Sequence, residues 1–162
     1  MIRELRVDDR LIHGQIALTW PKAIGVNHII VANDKASQDA TQQMTLKMAV
    51  SGNVKVLIRS VDDTIELMKS PKARAVGMMV IVNSVEDAHR LYHSLADIIE
   101  RINIANVGRF DGVPNKEKRS IGSSILLTDG AEKSAKMLIS EGANVVHQVV
   151  PDNKAEQFKN LI

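Results

Sequence analysis

Residues 7–15 read Val7-Asp8-Asp9-Arg10-Leu11-Ile12-His13-Gly14-Gln15, and this stretch predicts a strand, a tight turn and the beginning of a helix. Apolar residues, Ile2, Leu5 and Val7, lead up to the two acids, and an amphipathic run follows the glycine. At such a junction the first backbone N–H groups of the helix lack intrahelical partners and point outward, which favours the binding of an anion. The sequence therefore places His13 where an anion would bind.

The residue types around His13 suit phosphoryl chemistry. An unprotonated imidazole nitrogen is a nucleophile near neutral pH, and the planar guanidinium of Arg10 can donate paired hydrogen bonds to phosphoryl oxygens. Gly14 would allow the backbone to approach a ligand closely, and Gln15 could donate a further hydrogen bond. These residues together predict a site that accepts a phosphoryl group on His13.

Two carboxylates precede this group, and their roles are open at this point. Asp8 or Asp9 could orient the imidazole, or could instead hold Arg10 in place. The alternative interpretation of the stretch is a solvated turn with Arg10 as a surface partner and His13 as an ordinary residue at a helix start. Loops carry function more often than cores do, which favours the functional interpretation.

Residues 6–15 closely resemble the active-site loop of the IIB components of mannose-type (mannose/fructose/sorbose) sugar phosphotransferase systems. The resemblance runs along almost the whole chain and includes Trp20, Val31-Ala32-Asn33-Asp34, Asn106-Val107-Gly108 and Val150-Pro151. One segment departs from the family pattern. Where many members have a second glycine and a methionine after Asn-Val-Gly, this chain has Arg109-Phe110-Asp111-Gly112.

The resemblance implies a single IIB domain over residues 1–162 that acts as a phosphoryl carrier, a protein-phosphohistidine–sugar phosphotransferase. His13 would accept the phosphoryl group from a phosphohistidine of enzyme IIA and donate it to a sugar held by the membrane components IIC and IID. Arg10 would be the phosphoryl clamp and Asp9 the orienting residue, with Asp8 as the alternative. Asp8, Gly14 and Gln15 would complete the phosphate-binding loop.

The same resemblance implies a cytoplasmic protein that is peripheral at the inner face of the membrane through IIC and IID. It leaves open which sugar is transported, which ring nitrogen of His13 is phosphorylated and whether the chain forms a homo-oligomer. No metal or cofactor is expected, because the energy for transfer is stored in the phosphorus–nitrogen bond of the donor and the protein mainly positions the reactants.

Composition excludes several other classes. The 162 residues are 44% apolar and 25% charged, which is ordinary for one globular domain. No cysteine is present, so a disulfide framework and a thiolate metal site are ruled out. A net charge of +2 and an aromatic content of 2% argue against nucleic acid as a partner. The N-terminal charges and the absence of a long apolar run argue against a signal peptide and a membrane span.

Short apolar runs alternate with amphipathic segments along the chain, and this pattern predicts an α/β fold. The strand candidates are residues 2–7, 27–32, 54–58, 78–82, 101–107, 121–127 and 145–150. Strand-helix repeats of this kind give an open, mainly parallel sheet of about seven strands with helices on both faces. Pro21 predicts a break or kink of the first helix near Trp20.

Ligands of such sheets bind outside the carboxyl ends of the strands. Asn33, Asp34, Asn106 and Gly108 follow strand candidates, and we expect them in a polar rim around His13.

Two other function classes are compatible with a sheet of this kind. A signalling receiver would need a phosphorylatable aspartate after the third strand and a lysine after the fifth, where this chain has Arg59-Ser60 and Asn106-Val107-Gly108. A non-catalytic sugar-binding module would not explain why Arg10 and His13 occur together at a helix start. Phosphoryl transfer through His13 is therefore the favoured prediction.

Overall fold

A seven-stranded sheet is built around the first strand of the chain, which lies in its middle. In chain order, the strands of the described residues are Ile2–Asp8 (β1), His28–Ala32 (β2), Lys55–Arg59 (β3), Met78–Val82 (β4), Ile102–Asn106 (β5), Arg119–Ile121 (β6), Ile125–Leu127 (β7), Val145–His147 (β8) and Glu156–Gln157 (β9). Strands β6 and β7 pair with each other outside the seven-stranded sheet. In the main sheet the strand order is β3-β2-β4-β1-β5-β8-β9, and only β9 runs antiparallel to its neighbour. The computed structural model describes residues 1–50 and 52–162, apart from the side chain of Gln15.

Helices cover both faces of this sheet, as the alternating pattern predicts. They are Gly14–Ala23 (α1), Asp34–Ser37 (α2), Ala40–Met48 (α3), Val61–Met68 (α4), Pro71–Arg74 (α5), Val85–Leu95 (α6) and Asp129–Ser140 (α7). Leu5 and Val7 of β1 belong to an apolar cluster with residues of α4, α6 and α7. Residues of α1, α2 and α3 form a second cluster against the opposite face of the sheet.

Several helices begin at capping residues that the sequence contains. The hydroxyl of Ser60 accepts a hydrogen bond from the amide of Asp63, and the hydroxyl of Ser84 accepts one from the amide of Asp87. Such caps satisfy one of the free N–H groups at a helix start. They place the N-termini of α4 and α6 directly after β3 and β4, at the carboxyl edge of the sheet.

Two local predictions are wrong. Residues 121–127 do not form one strand, because a turn over residues 122–124, with Gly122 at a positive φ of 61°, folds them into the antiparallel hairpin β6-β7 beside the main sheet. Helix α1 does not break at Trp20 but continues through Pro21 to Ala23. Its last turn is held by the amide of Ile24, which donates to the carbonyl of Trp20 at 3.0 Å.

Within the described ranges, no helix is both long enough and apolar enough to cross a membrane.

Candidate functional site

The loop between β1 and α1 is a tight turn whose backbone is strained at one position. The amide of Leu11 donates to the carbonyl of Asp8 at 2.9 Å, which closes the turn. Leu11 has a φ of +56°, a left-handed backbone conformation that residues other than glycine adopt only at a cost in free energy. Its side chain and that of Ile12 are buried. Burial of these two residues anchors the loop and holds the next residue, His13, at the start of α1.

His13 is the N-cap residue of α1, with extended backbone angles. Its side chain makes no capping hydrogen bond and so does not occupy the first amides of the helix, for which no side-chain acceptor is found among the described residues. A Cβ atom added at Gly14 would meet no atom of more distant residues within 4 Å, so the space beside this glycine is open. The loop thus presents an imidazole beside a helix N-terminus, a position that in general favours an anion. The predicted contribution of the Gln15 side chain lies outside the described residues.

Asp8 is the carboxylate that faces the imidazole. Its side chain is completely buried, and Oδ2 lies 3.6 Å from Nε2 of His13. The same oxygen accepts a hydrogen bond from the Arg6 guanidinium at 3.1 Å. The other oxygen, Oδ1, accepts from the backbone amide and the Nε of Arg10 at 3.2 and 3.3 Å. Asp8 therefore joins the nucleophile candidate and both nearby arginines.

Asp9, for which the orienting role is expected with Asp8 as the alternative, makes different contacts. Its two carboxylate oxygens accept hydrogen bonds from the amides of Gly108 (3.1 Å) and Arg109 (2.8 Å). Its own amide donates to the carbonyl of Asn106 at 2.9 Å. Burial raises the pKa of Asp9, and the two bonds from Gly108 and Arg109 oppose this shift. Asp9 thus ties the His13 loop to the loop after β5, and the acid beside the imidazole is Asp8.

The surroundings of His13 favour its neutral form. Burial lowers the pKa of His13 below 6.5, and the positive charge of Arg10 adds to this effect, while the carboxylate of Asp8 opposes it. Nε2 is buried and has no hydrogen-bond partner among the described residues, although 26% of the His13 side chain is exposed. The nitrogen open to a reactant is accordingly Nδ1, and a neutral ring can present a lone pair there.

Arg10 lies at the rim of the loop, with 45% of its side chain exposed. Asp8 holds it at the amide and at Nε, which fixes the base of the guanidinium. No side chain that the structure describes accepts a hydrogen bond from its two terminal nitrogens. These nitrogens can therefore donate to phosphoryl oxygens in the paired geometry that suits a guanidinium.

The predicted rim residues fall into two groups. Asn106 and Gly108 follow β5, which pairs with β1, so that Asn106 contacts the His13 loop through its carbonyl and Gly108 through its amide. Asn33 and Asp34 follow β2, which β4 separates from β1. Asn33 caps α2, and Asp34 accepts a hydrogen bond from the amide of Val61 at 2.9 Å. Among the described residues, the contacts of this second pair do not include the His13 loop.

The loop after β5, in which the sequence departs from the family pattern, is braced around an exposed aromatic ring. Lys118, whose side chain is buried, donates to the carbonyl of Gly108 and to the carboxylate of Asp111. Arg109 donates to the Oδ1 of Asn106 at 3.3 Å. Phe110 lies between these contacts and is 72% exposed. The departure thus places a phenylalanine on the surface in a loop that Asp9 attaches to the site.

A buried polar network beneath the site was not predicted from the sequence. Glu4, Arg6 and Asp8 alternate along β1, and all three are fully buried on one face of the sheet. Next to them, Asn103 donates to Glu4 at 3.1 Å and to the carbonyl of Gln148 at 2.9 Å. A central parallel strand is normally apolar on both faces. Three charges at alternate positions of the first strand were therefore the signal that could have revealed this network.

Comparisons of this chain with known families, sequences and structures give consistent results. Residues 2–162 match the model of a family described as the PTS system sorbose subfamily IIB component. A probable phosphotransferase enzyme IIB component of Streptococcus pyogenes serotype M6 is 43% identical over 163 residues, covering 100% of this chain and 99% of the relative. The fructose-specific EIIB component of Bacillus subtilis is 27% identical over 157 residues, covering 97% of this chain and 93% of the relative. The IIB domain of the sorbose permease from Klebsiella pneumoniae has the same fold, with a TM-score of 0.88 at 21% identity over 99% of this chain and 94% of that one.

Proposed function

Because the chain belongs to the sorbose-subfamily IIB components of the sugar phosphotransferase system, we propose that His13 accepts a phosphoryl group from a phosphohistidine of enzyme IIA. We further propose that it passes the group to a sugar held by the membrane components IIC and IID. IIB components are phosphotransferases, and in this chain the atom that would carry the phosphoryl group is Nδ1 of His13. The observation that supports it most is the position of His13, which is partly exposed at the start of α1 with Asp8 behind it and Arg10 beside it.

In the accepting step, the lone pair of Nδ1 forms a bond to the phosphorus atom. The phosphorus–nitrogen bond to the donor histidine breaks, and its electron pair returns to the donor imidazole. The proton on Nε2 of His13 stays on that nitrogen and faces the Asp8 carboxylate, whose negative charge stabilises the ring as it acquires positive character. In the second step a hydroxyl oxygen of the sugar forms a bond to the phosphorus, and the proton of the hydroxyl passes to a base or solvent. The bond between the phosphorus and Nδ1 of His13 breaks, and its electron pair returns to Nδ1 and regenerates the neutral ring.

The loop supplies the charge balance for both steps. The terminal nitrogens of Arg10 and the first amides of α1 donate to the phosphoryl oxygens, whose negative charge is redistributed during transfer. Gly14 leaves space for these oxygens because no side chain projects there. We also propose that the chain acts in the cytoplasm, at the inner face of the membrane, because its acceptor sugar is held by IIC and IID.

Incubation with phosphorylated enzyme IIA tests the proposal directly. We expect one phosphoryl group per chain, mapped to His13, that is lost in acid and survives alkali as phosphohistidine does. The His13→Gln variant should not be labelled, whereas His93→Gln, which changes an exposed histidine of α6, should be labelled like the unchanged chain. Label on another residue, or an alkali-labile acyl phosphate, would contradict the assignment.

A further inference from the structure

We propose that Arg6 is a positioning residue for phosphoryl transfer, acting from inside the protein to fix the Asp8 carboxylate against both His13 and Arg10. The inference rests on the proposed function and deepens it, because Arg6 acts on the same site without being able to touch a reactant. Its side chain is completely buried in the middle of β1. Any effect of Arg6 on the chemistry must therefore come through its bond to Asp8 and through its charge.

The guanidinium of Arg6 is held from several sides. One terminal nitrogen donates to Asp8 Oδ2 and to the carbonyl of Val149, both at 3.1 Å. The other terminal nitrogen donates to the carbonyl of Gln148 at 3.5 Å. The Cζ atom lies 5.0 Å from the ring centre of Trp20, within the range of a cation–π interaction. Arg6 therefore has one orientation, and the carboxylate bonded to it is fixed as well.

The fixed position of Asp8 determines the charge beside the His13 imidazole and the hydrogen bonds available to Arg10. Oδ2 is shared between Arg6 at 3.1 Å and the Nε2 of His13 at 3.6 Å, which leaves Oδ1 for Arg10. A buried carboxylate this close to an imidazole would by itself favour the imidazolium ion. An imidazolium has no lone pair with which to attack phosphorus. Burial of the ring and the positive charges of Arg10 and Arg6 together offset the charge of Asp8, so that Asp8 orients the ring while the ring stays neutral.

If Arg6 only stabilised the buried network, replacing another arginine of that network should have the same effect on His13. Arg101 is the matched control for this alternative. Arg101 belongs to the same network, where it bonds Glu4 and donates to the Oε1 of Gln148 at 3.2 Å. Its Cζ lies 5.6 Å from the Trp20 ring centre, similar to that of Arg6. It makes no contact with Asp8 in the part of the chain that the structure describes. Loss of Arg101 therefore disturbs the network without releasing Asp8.

The test compares Arg6→Met, Arg6→Lys and Arg101→Met in the full chain. The pKa and tautomer of the His13 ring are followed by NMR of labelled histidine, with the His13 signal assigned from its loss in His13→Gln. Transfer from phosphorylated enzyme IIA is followed as an initial rate per folded molecule, and stability is followed by denaturant unfolding. The NMR readout requires no phosphoryl donor, so it separates failure of this inference from failure of the proposed function.

For Arg6→Met we expect the pKa of His13 to rise, because one of the two positive charges that offset Asp8 is lost. Transfer at pH 7 should fall about tenfold or more, because both His13 and Arg10 lose a fixed partner. Arg6→Lys should keep the pKa of His13 close to that of the unchanged chain. Its transfer should still fall several-fold, because a single ammonium group cannot reproduce the paired contacts.

Arg101→Met should lose stability but keep the pKa of His13 and the transfer rate within about twofold of the unchanged chain. If Arg6→Met does not fold, Arg6→Lys decides by its rate. An unchanged rate and tautomer in Arg6→Lys, an unchanged pKa and rate in a folded Arg6→Met, or equal effects of the Arg6 and Arg101 substitutions would each overturn the inference.

Discussion

Nε2 of His13 lies 3.6 Å from Oδ2 of Asp8, the first of two adjacent acids. Asp8→Asn removes the charge that raises the pKa of His13, and we therefore expect that pKa to fall further. Transfer from phosphorylated enzyme IIA should decrease about tenfold or more, because an amide cannot accept hydrogen bonds from both Arg6 and Arg10 and the side chain beside the ring is no longer fixed. A histidine NMR titration together with an initial rate measures both effects. A pKa that rises in this variant would show that Asp8 does not act on His13 as a negative charge.

Asp9→Asn is the complementary substitution. An amide can accept only one of the two backbone hydrogen bonds that Gly108 and Arg109 donate, and its NH₂ group would face the other donor. We expect a loss of about 1–2 kcal/mol in the free energy of unfolding, with the pKa of His13 unchanged. Denaturant unfolding and the same NMR titration are the measurements. A shift of the His13 pKa as large as that of Asp8→Asn would return the orienting role to Asp9.

The rate of phosphoryl acceptance should be independent of pH above about 6.5 and should fall only at lower pH. Burial lowers the pKa of His13, so the neutral, reactive ring persists below the pH at which a free histidine is protonated. Between the lowered pKa and 6.5 the unfolded chain binds more protons than the folded one, so stability decreases as the pH falls through this window. Initial rates and unfolding curves from pH 5 to 8 test both statements. A rate that already decreases between pH 8 and pH 7 would contradict them.

Arg10→Lys should slow transfer much more than it affects stability. The side chain is 45% exposed and its terminal nitrogens have no described acceptor, so little folding energy depends on them. A lysine keeps the charge but cannot donate two parallel hydrogen bonds to phosphoryl oxygens. The transfer rate should fall at least about tenfold, while the unfolding midpoint stays nearly constant. Equal rates for the two proteins would remove Arg10 from the mechanism.

Gly108→Ala should destabilise the loop after β5. Its φ is +96°, and an added Cβ would lie 1.9 Å from the carbonyl oxygen of Leu126. The matched control is Gly112→Ala in the same loop, where φ is +78° and no atom lies within 4 Å of the added carbon. We expect a loss of about 1–2 kcal/mol for the control, from backbone strain alone. Gly108→Ala should lose about 1–3 kcal/mol more because of the clash. Similar unfolding free energies for the two variants would show that the loop moves to avoid Leu126.

Much of the fold was predictable because its signals are local. Apolar runs gave the six parallel strands of the main sheet. The class, an open and mainly parallel sheet with helices on both faces, is confirmed. Strand β9 and the β6-β7 hairpin were not predicted, because short strands carry too few residues to show a period.

The site was predictable where one short stretch contains it, as for Arg10 and His13. The different roles of Asp8 and Asp9 were not predictable, because they depend on how β1 lies beside β5. Asp9 finds its partners at Gly108 and Arg109, about a hundred residues away in sequence. The contacts of Arg6 likewise come from the chain after β8. Long-range contacts of this kind have no counterpart in a local pattern.

The alternation of Glu4, Arg6 and Asp8 with Leu5 and Val7 has a consequence for folding that is separate from catalysis. If β1 slipped by one residue against β4 and β5, its side chains would exchange faces. Three charged groups would enter the apolar layer beneath α4, α6 and α7, where unpaired charges are costly. A register shifted by one residue is therefore strongly disfavoured for the central strand. The charged residues beneath His13 thus also favour correct strand pairing while the sheet forms.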